Sequence, residues 1–141
     1  MTLHLSKLVR DLIQVGLDED VGRGDVTTEA TVPPHVMAHA RLSSKQELVV
    51  AGMDVFQTVY AFLDGSLHIT VQQQDGDLVA AGTLLAELEG RARSLLMGER
   101  VALNFLQRLS GIATLTRCYV EAVKGYTVAI IDTRKTTPGW R

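Results

Sequence analysis

Cysteine is almost absent from this sequence, which has Cys118 as its single thiol in 141 residues. One thiol cannot form an internal disulfide or a zinc site of several cysteines, so a domain stabilised by disulfides or by such a zinc site is excluded. The sequence also lacks any run of about 18 apolar residues that could cross a membrane, and its first residues lack the apolar core of a secretion signal. We therefore expect a soluble protein of the cytoplasm, where thiols stay reduced.

An excess of charge of one sign is lacking as well. The formal net charge is -2, which argues against a protein that binds nucleic acid or another polyanion over a broad basic face. Any recognition of anions must therefore be local. With 46% hydrophobic residues, a chain of this length can bury the core of one ordinary domain.

The common signatures of catalysis are missing too. The sequence has no Gly-rich phosphate loop of either standard type, no metal-ligand cluster and no convincing pair of carboxylates. Cys118 lies among apolar residues and no histidine follows His68 to activate it, so we interpret it as a packed thiol. His39 and His68 fall on the polar faces of alternating segments, which predicts surface histidines. No residue is predicted to be catalytic or to bind a metal.

The first half of the chain alternates between helix and strand patterns. Apolar residues at helical spacing behind Ser6 predict a helix that ends at Gly16, followed by an acidic, glycine-rich loop over residues 17–28. Apolar patterns predict three strands, at residues 36–42, 47–51 and 67–72. A helix capped by Asp54 separates the second strand from the third.

A turn at residues 75–77 leads into apolar runs at residues 78–79 and 84–89, which we interpret as a hairpin-like unit. The unit resembles half of a biotinyl or lipoyl carrier domain. Such a carrier needs a lysine at the tip of its hairpin, whereas no lysine occurs between Lys45 and Lys124. A carrier or binding module without enzymatic activity is therefore a rival hypothesis that rests on local fold only.

The longest helical pattern begins at Ser94 and carries a broad apolar band to Val123. Its Ser-Gly pair at residues 110–111 predicts a break into two helices. Its polar residues are expected on the outer, solvated face: Glu99, Arg100, Asn104, Gln107 and Arg108. The apolar residues 127–131 then predict a buried strand, as at the start of a series of βα repeats.

This last strand runs directly into Thr133, Arg134 and Lys135. Side chains of adjacent strand residues begin on opposite faces, so the two cations can share a pocket only if the strand ends there. An arginine fork binds a carboxylate through two hydrogen bonds and lysine adds a compact charge, so the pair suits a ligand with carboxylate and phosphate groups. The alternative is an exposed basic turn that binds nothing.

Four collinear stretches closely resemble the quinolinate phosphoribosyltransferases, the decarboxylating nicotinate-nucleotide pyrophosphorylases: residues 22–28, 75–77, 98–114 and 132–139. The resemblance implies a pentosyltransferase that converts quinolinate and phosphoribosyl pyrophosphate to nicotinate mononucleotide, CO2 and pyrophosphate in de novo NAD synthesis. It also implies Mg2+ as the cofactor and a homodimer as the functional form.

The same resemblance implies a fold and a site. The fold would be α+β, with an N-terminal α/β sandwich over residues 1–111 and the first elements of an incomplete α/β barrel over residues 112–141. Thr133, Arg134 and Lys135 would line the substrate pocket at the end of the first barrel strand. Arg100 would reach into the active site of the neighbouring subunit, in place of the surface position that spacing alone indicates.

Members of this family are much longer than this chain, and the part without a counterpart here is expected to carry most barrel strands and the Mg2+ ligands. We therefore predict negligible transferase activity for the 141-residue chain by itself. A paralogue associated with molybdenum transport shares the fold and similar motifs, so the acceptor is open at this stage. A dimerisation module built on the long apolar helix is a third hypothesis.

Overall fold

A computed structural model describes residues 5–22 and 24–140, which form helices packed on antiparallel strands. The helices are α1 (Lys7–Asp20), α2 (Val26–Thr31), α3 (Met53–Leu63) and α4 (Ala92–Ala122). The strands are β1 (Met37–Ser43), β2 (Leu48–Val49), β3 (His68–Val71), β4 (Leu78–Val79) and β5 (Leu84–Arg91). This mixed architecture confirms the predicted α+β class, and the described residues contain no closed barrel.

The strands form two separate sheets. Strand β5 is the centre of the larger one, where Leu88 pairs with Ala40 of β1 on one side and with Ile69 of β3 on the other. Within the part of the chain that the structure describes, strands β2 and β4 pair only with each other. The predicted hairpin of β4 with β5 is wrong, because the connection between them hydrogen-bonds to Ser44, whose N–H donates to Thr83 O at 3.0 Å. The local similarity to a carrier domain therefore has no counterpart in the strand pairing.

The hydrophobic core lies between α3, α4 and the sheet, with α1 packed beside both helices. Its largest fully buried side chains are Phe56, Ile13, Val50 and Val59. Burying side chains of this size stabilises the fold by about 1.5–3 kcal/mol each. The core therefore holds α4 rigidly by its first half, the part that carries the predicted site residue Arg100.

Helix α1 begins as predicted and ends later than predicted. The Ser6 hydroxyl accepts a hydrogen bond from Val9 N, which confirms the N-cap. Gly16 does not end the helix, which continues to Asp20. A Cβ at Gly16 would lie 3.4 Å from Val101 Cγ1, so this glycine allows α1 to approach α4 closely.

The predicted loop over residues 17–28 is also largely helical. Its first residues complete α1, and Asp25 caps α2 by accepting a hydrogen bond from Thr28 N at 3.0 Å. A second hydrogen bond, from the Thr28 hydroxyl to the Asp25 carboxylate, contributes most to lowering the pKa of Asp25. Arg23, in the motif at residues 22–28, lies outside the described residues.

The cap of α3 comes from a distant turn. Asp54, the predicted cap, lies inside the first turn, and the helix instead begins after Gly52, which has φ 97°. The Asp75 carboxylate accepts from Gly52 N at 2.8 Å and from Met53 N at 2.9 Å. The acidic turn at residues 75–77 is therefore a structural element that holds the start of α3.

We expect Asp75→Ala to lower the free energy of unfolding by about 1–2 kcal/mol, because two helix N–H groups lose their acceptor. Urea denaturation followed by far-UV circular dichroism measures this. The control is Asp54→Asn, which should cost only about 0.5 kcal/mol through the helix dipole. Equal losses in the two variants would contradict the capping role of Asp75.

Helix α4 is continuous through residues 110–111, so the predicted break is wrong. Ser110 is buried, and its hydroxyl bonds to the backbone of Ala51 at 3.1 Å (from N) and 3.2 Å (to O). Ser110 therefore fastens the helix to the chain next to β2 and does not interrupt it. The predicted domain boundary at residue 111 falls within this helix and stays a prediction.

The predicted strand at residues 127–131 is not formed. These residues are exposed and have no regular structure, although their composition is apolar. Strand backbone needs a partner edge for its N–H and C=O groups, and the two described sheets offer none to this segment. Cys118, predicted to be packed, is exposed on the second half of α4 for a related reason: no described element covers that part of the helix.

Asp64 links the end of α3 to the start of α4. Its carboxylate accepts from the Ser66 hydroxyl at 2.5 Å, from the Ser94 hydroxyl at 2.7 Å and from Ser66 N at 3.0 Å. These hydrogen bonds, first that of the Ser66 side chain, lower the pKa of Asp64 to about 2 from 3.8.

We expect Asp64 to make the free energy of unfolding depend on pH in the acid range. A lowered pKa means that the stabilisation is complete above pH 3.8 and is lost as the pH falls through about 2. Asp64→Asn should therefore be less stable than the wild type at pH 7 and should lose less stability between pH 4 and pH 2. Urea midpoints across this range measure it, with Asp11→Asn, on the exposed Lys7 pair, as the control. Parallel pH profiles for the wild type and Asp64→Asn would contradict the role.

Candidate anion-binding site

Arg100 lies beside a cavity of about 440 Å³ between α4, the end of α1 and the start of α2. The residues that α4 contributes to this cavity lie on one side of the helix, because positions three and four apart face the same direction. The lining residues are Asp20, Val21, Gly24, Asp25, Val26, Leu96, Met97, Glu99, Arg100, Leu103, Asn104 and Gln107. The polar residues that spacing placed on the outer face of α4 are thus exposed, and three of them line one cavity together with Arg100.

Asp20 holds the Arg100 guanidinium. The Arg100 Nη1 donates to Asp20 Oδ1 at 2.5 Å, and this hydrogen bond with the nearby carboxylate charge raises the pKa of Arg100 above its usual value. The Arg100 side chain is 73% exposed, against 21% for Asp20. An ion pair this open to water is weak, so Arg100 stays charged and can exchange Asp20 for another anion.

Carboxylates outnumber cations around this cavity. Among the described lining residues, Asp20, Asp25 and Glu99 face a single cation, Arg100. A ligand with several negative charges would be repelled by the carboxylates inside the cavity. Within its own cavity, Arg100 is therefore surrounded mainly by groups of opposite charge, and its guanidinium extends into solvent.

Thr133, Arg134 and Lys135 lie together in an exposed turn after α4. The Thr133 hydroxyl accepts a hydrogen bond from Lys135 N at 3.1 Å, which closes the turn. None of the three residues lines the cavity beside Arg100. The structure therefore groups the predicted site residues in two places, the turn and the helix.

Two contacts at the site had no signal in the sequence. Asp20 lies at the end of α1 and meets Arg100 across 80 positions of sequence. Arg108 donates to the Thr137 hydroxyl at 3.0 Å, just beyond the basic turn. Neither residue stands out by periodicity, since both have the spacing of solvated charges.

The described residues hold no group of three or more His, Cys, Asp or Glu side chains that could bind a metal ion. Asp20 and Asp25 are engaged with Arg100 and Thr28 instead. The residues present therefore do not fit a Mg2+ site, and Mg2+ stays a prediction from the resemblance. Within the same residues, no helix has the length and apolar content needed to cross a membrane.

Two family models match consecutive parts of the chain. The N-terminal domain of quinolinate phosphoribosyl transferase matches residues 25–110, and its C-terminal domain matches residues 112–141. The chain belongs to the quinolinate phosphoribosyltransferase family. This confirms the family identified from the motifs at residues 98–114 and 132–139.

Two bacterial relatives in this family share more than two-fifths of their matched sequence with the chain. A probable nicotinate-nucleotide pyrophosphorylase of Synechocystis is 44% identical over 92% of this chain, which is 43% of the relative. The Bacillus subtilis relative is 42% identical over 99% of this chain, which is 46% of that protein. The chain therefore spans less than half the length of these curated relatives.

Solved structures of the family have the same fold as this chain. NadC from Streptococcus pyogenes superposes with a TM-score of 0.90 at 43% identity, over 95% of this chain and 48% of that one. The nicotinate-nucleotide pyrophosphorylase of Francisella tularensis gives a TM-score of 0.91 at 34% identity, over 98% of this chain and 49% of the other. The α+β fold is thus that of one half of these proteins.

Proposed function

We propose that this chain supplies substrate-binding residues to a quinolinate phosphoribosyltransferase that forms nicotinate mononucleotide, CO2 and pyrophosphate in NAD synthesis. The observation that carries the proposal is the exposed basic turn, in which Thr133 orders the backbone next to Arg134 and Lys135. This turn lies in the stretch that matches the family's C-terminal domain. Its charges suit quinolinate, a dicarboxylate, and the phosphates of phosphoribosyl pyrophosphate.

The reaction needs charge stabilisation and positioning more than a protein nucleophile. The quinolinate ring nitrogen forms a bond to the ribose carbon, and pyrophosphate leaves with the electron pair of the broken C–O bond. Arg134 and Lys135 would stabilise the carboxylates and phosphates while the positive charge develops on the sugar. When the C–CO2 bond then breaks, its electron pair stays on the ring carbon, where the adjacent positively charged ring nitrogen stabilises it, and this carbon takes a proton from water. No step is assigned to Mg2+.

We also propose a homodimer, in which Arg100 of one copy serves the basic turn of the other. The exposure of Arg100 and the carboxylates that surround it in its own cavity support this arrangement. A second copy would present the substrate anions to Arg100, which pairs with the Asp20 carboxylate within its own chain. The single cysteine fits the reducing cytoplasm as the location.

A chimaera tests the function: this chain followed by the part of the Bacillus subtilis relative that it does not span. The chimaera should convert quinolinate to nicotinate mononucleotide, measured by chromatography, while the 141-residue chain should show negligible turnover. Robust turnover by the chain alone would refute its predicted inactivity. An inactive chimaera that is folded and dimeric would refute the proposed function.

The cross-subunit site is tested by mixing two variants of the chimaera, Arg100→Gln and Arg134→Gln. Each should be inactive alone. After random exchange of subunits, roughly a quarter of the wild-type activity should return, because half of the dimers are hybrids and each hybrid has one intact site. Arg117→Gln, an exposed residue on the same helix, is the control and should stay active. Without recovery in verified hybrids, Arg100 serves its own chain.

A further inference from the structure

The segment beyond the basic turn is fastened to the helices, although the residues before it are exposed. The Trp140 ring stacks on Phe105 of α4, with ring centroids 5.5 Å apart and planes at 26°. Arg108, also on α4, donates to the Thr137 hydroxyl at 3.0 Å. Gly139 has φ 82° and comes so close to α1 that a Cβ there would lie 3.3 Å from Leu12 Cδ2. These contacts define a docked turn, residues 137–140.

The docked turn closes on itself as well. Trp140 N donates to Thr137 O at 3.0 Å, so the residue that Arg108 holds and the residue that Phe105 holds belong to one compact unit. The unit begins two positions after Lys135. Because so short a connection joins Lys135 to the docked turn, the basic turn has little conformational freedom once residues 137–140 are bound to the helices.

We propose that Arg108 and Phe105 are positioning residues, which dock residues 137–140 on α4 and thereby hold Thr133, Arg134 and Lys135 in the orientation that binds the anionic substrate. This inference rests on the function proposed above. Holding a binding segment in its bound conformation lowers the entropy that the ligand must overcome. Neither residue touches the substrate in this arrangement, and both act through the docked turn.

Trp140 is a built-in probe of docking, because it is the single tryptophan of the chain. In the 141-residue protein, Arg108→Gln and Phe105→Leu should shift the tryptophan emission to the red and increase quenching by acrylamide about two- to fivefold. Arg108→Lys keeps a donor for Thr137 and should recover part of the change. The control is Arg117→Gln, whose side chain pairs only weakly with Glu121. Far-UV circular dichroism verifies that all variants stay folded.

Ligand binding tests the positioning role. Titrations of the chimaera with quinolinate and with pyrophosphate, followed by NMR chemical shifts, should give affinities about three- to tenfold weaker for Arg108→Gln than for the wild type, with partial rescue in Arg108→Lys. A tryptophan spectrum unchanged by both Arg108→Gln and Phe105→Leu would overturn the docking. Undocking without any loss of affinity would overturn the positioning role.

The two proposals fail differently. If the wild-type chimaera binds neither anion, the proposed function and the positioning role are both refuted, and the fluorescence of the 141-residue protein still decides whether the turn is docked. If the wild type binds both anions and the variants bind equally well, only the positioning role is refuted.

Discussion

Gly98→Ala should lower the free energy of unfolding by roughly 2–3 kcal/mol, because α3 and α4 touch at this glycine. A Cβ there would lie 2.6 Å from Tyr60 Cε1 and 3.0 Å from Leu63 Cδ1. Tyr60 has little room to move, since it is 4% exposed and its ring packs edge-on against Phe56 at 5.3 Å. Burial also raises the pKa of Tyr60 to about 12. Urea denaturation at pH 7 measures the loss.

Gly111→Ala provides the matched control on the same helix. Apart from the adjacent backbone of α4, no atom of the described residues lies within 4 Å of a Cβ at Gly111, so the gain in helix propensity should raise stability by about 0.5–1 kcal/mol. If Gly98→Ala proves as stable as Gly111→Ala, the contact with Tyr60 does not limit the packing of α3 on α4. The comparison matters for function because Gly98 lies two positions before Arg100 and determines how closely that part of α4 packs on α3.

Replacing both Ser110 and Thr114 should also be costly, with a loss of roughly 2–4 kcal/mol in the Ser110→Ala/Thr114→Val double variant. The two hydroxyls hydrogen-bond to the backbone of β2 and of the residues just after it. Thr114 accepts from Val49 N at 2.9 Å, and Ser110 bonds to the N–H and C=O groups of Ala51. Without them these backbone groups lie next to an apolar helix face with no partner. Urea denaturation of the single and double variants measures the loss and its additivity.

Thr116→Val is the control for the hydroxyl pair. The Thr116 hydroxyl is exposed and donates to Ile112 O within its own helix, at 2.8 Å, so its loss should cost about 0.5 kcal/mol or less. A double variant as stable as this control would mean that water replaces the hydroxyls at the edge of β2. Retained stability would also remove the explanation for the unbroken helix through residues 110–111.

The Asp20–Arg100 pair links the stability of the fold to its proposed chemistry. Asp20 keeps the guanidinium of Arg100 at the mouth of the cavity, and the high exposure of Arg100 keeps that charge within reach of a second molecule. Because an exposed ion pair is weak, the proposed function needs only a small free energy to displace Asp20 from Arg100. Gly98 and Asp20 thus act on Arg100 in different ways. Gly98 determines how α4 packs on α3, and Asp20 determines the orientation of the Arg100 side chain.

Local patterns in the sequence were sufficient for much of this protein. Alternation of apolar and polar residues predicted β1 and β3, since side chains on a strand point to opposite faces with a period of two. The N-cap at Ser6 followed from a hydroxyl at the start of a helical pattern. The motifs at residues 98–114 and 132–139 identified the family, and they singled out Arg100 and the basic turn as candidate substrate-binding residues.

Tertiary structure decided what single residues do. Gly16 and the pair at residues 110–111 look like helix breakers, yet the helices continue through them, because close packing and hydroxyl bonds to Ala51 stabilise the helix there. Asp75 caps α3 and Asp20 holds Arg100 across long separations in sequence. Local preferences amount to about 1 kcal/mol or less per residue, so contacts between distant residues override them. The reverse holds at residues 127–131, where an apolar pattern without a described partner edge forms no strand.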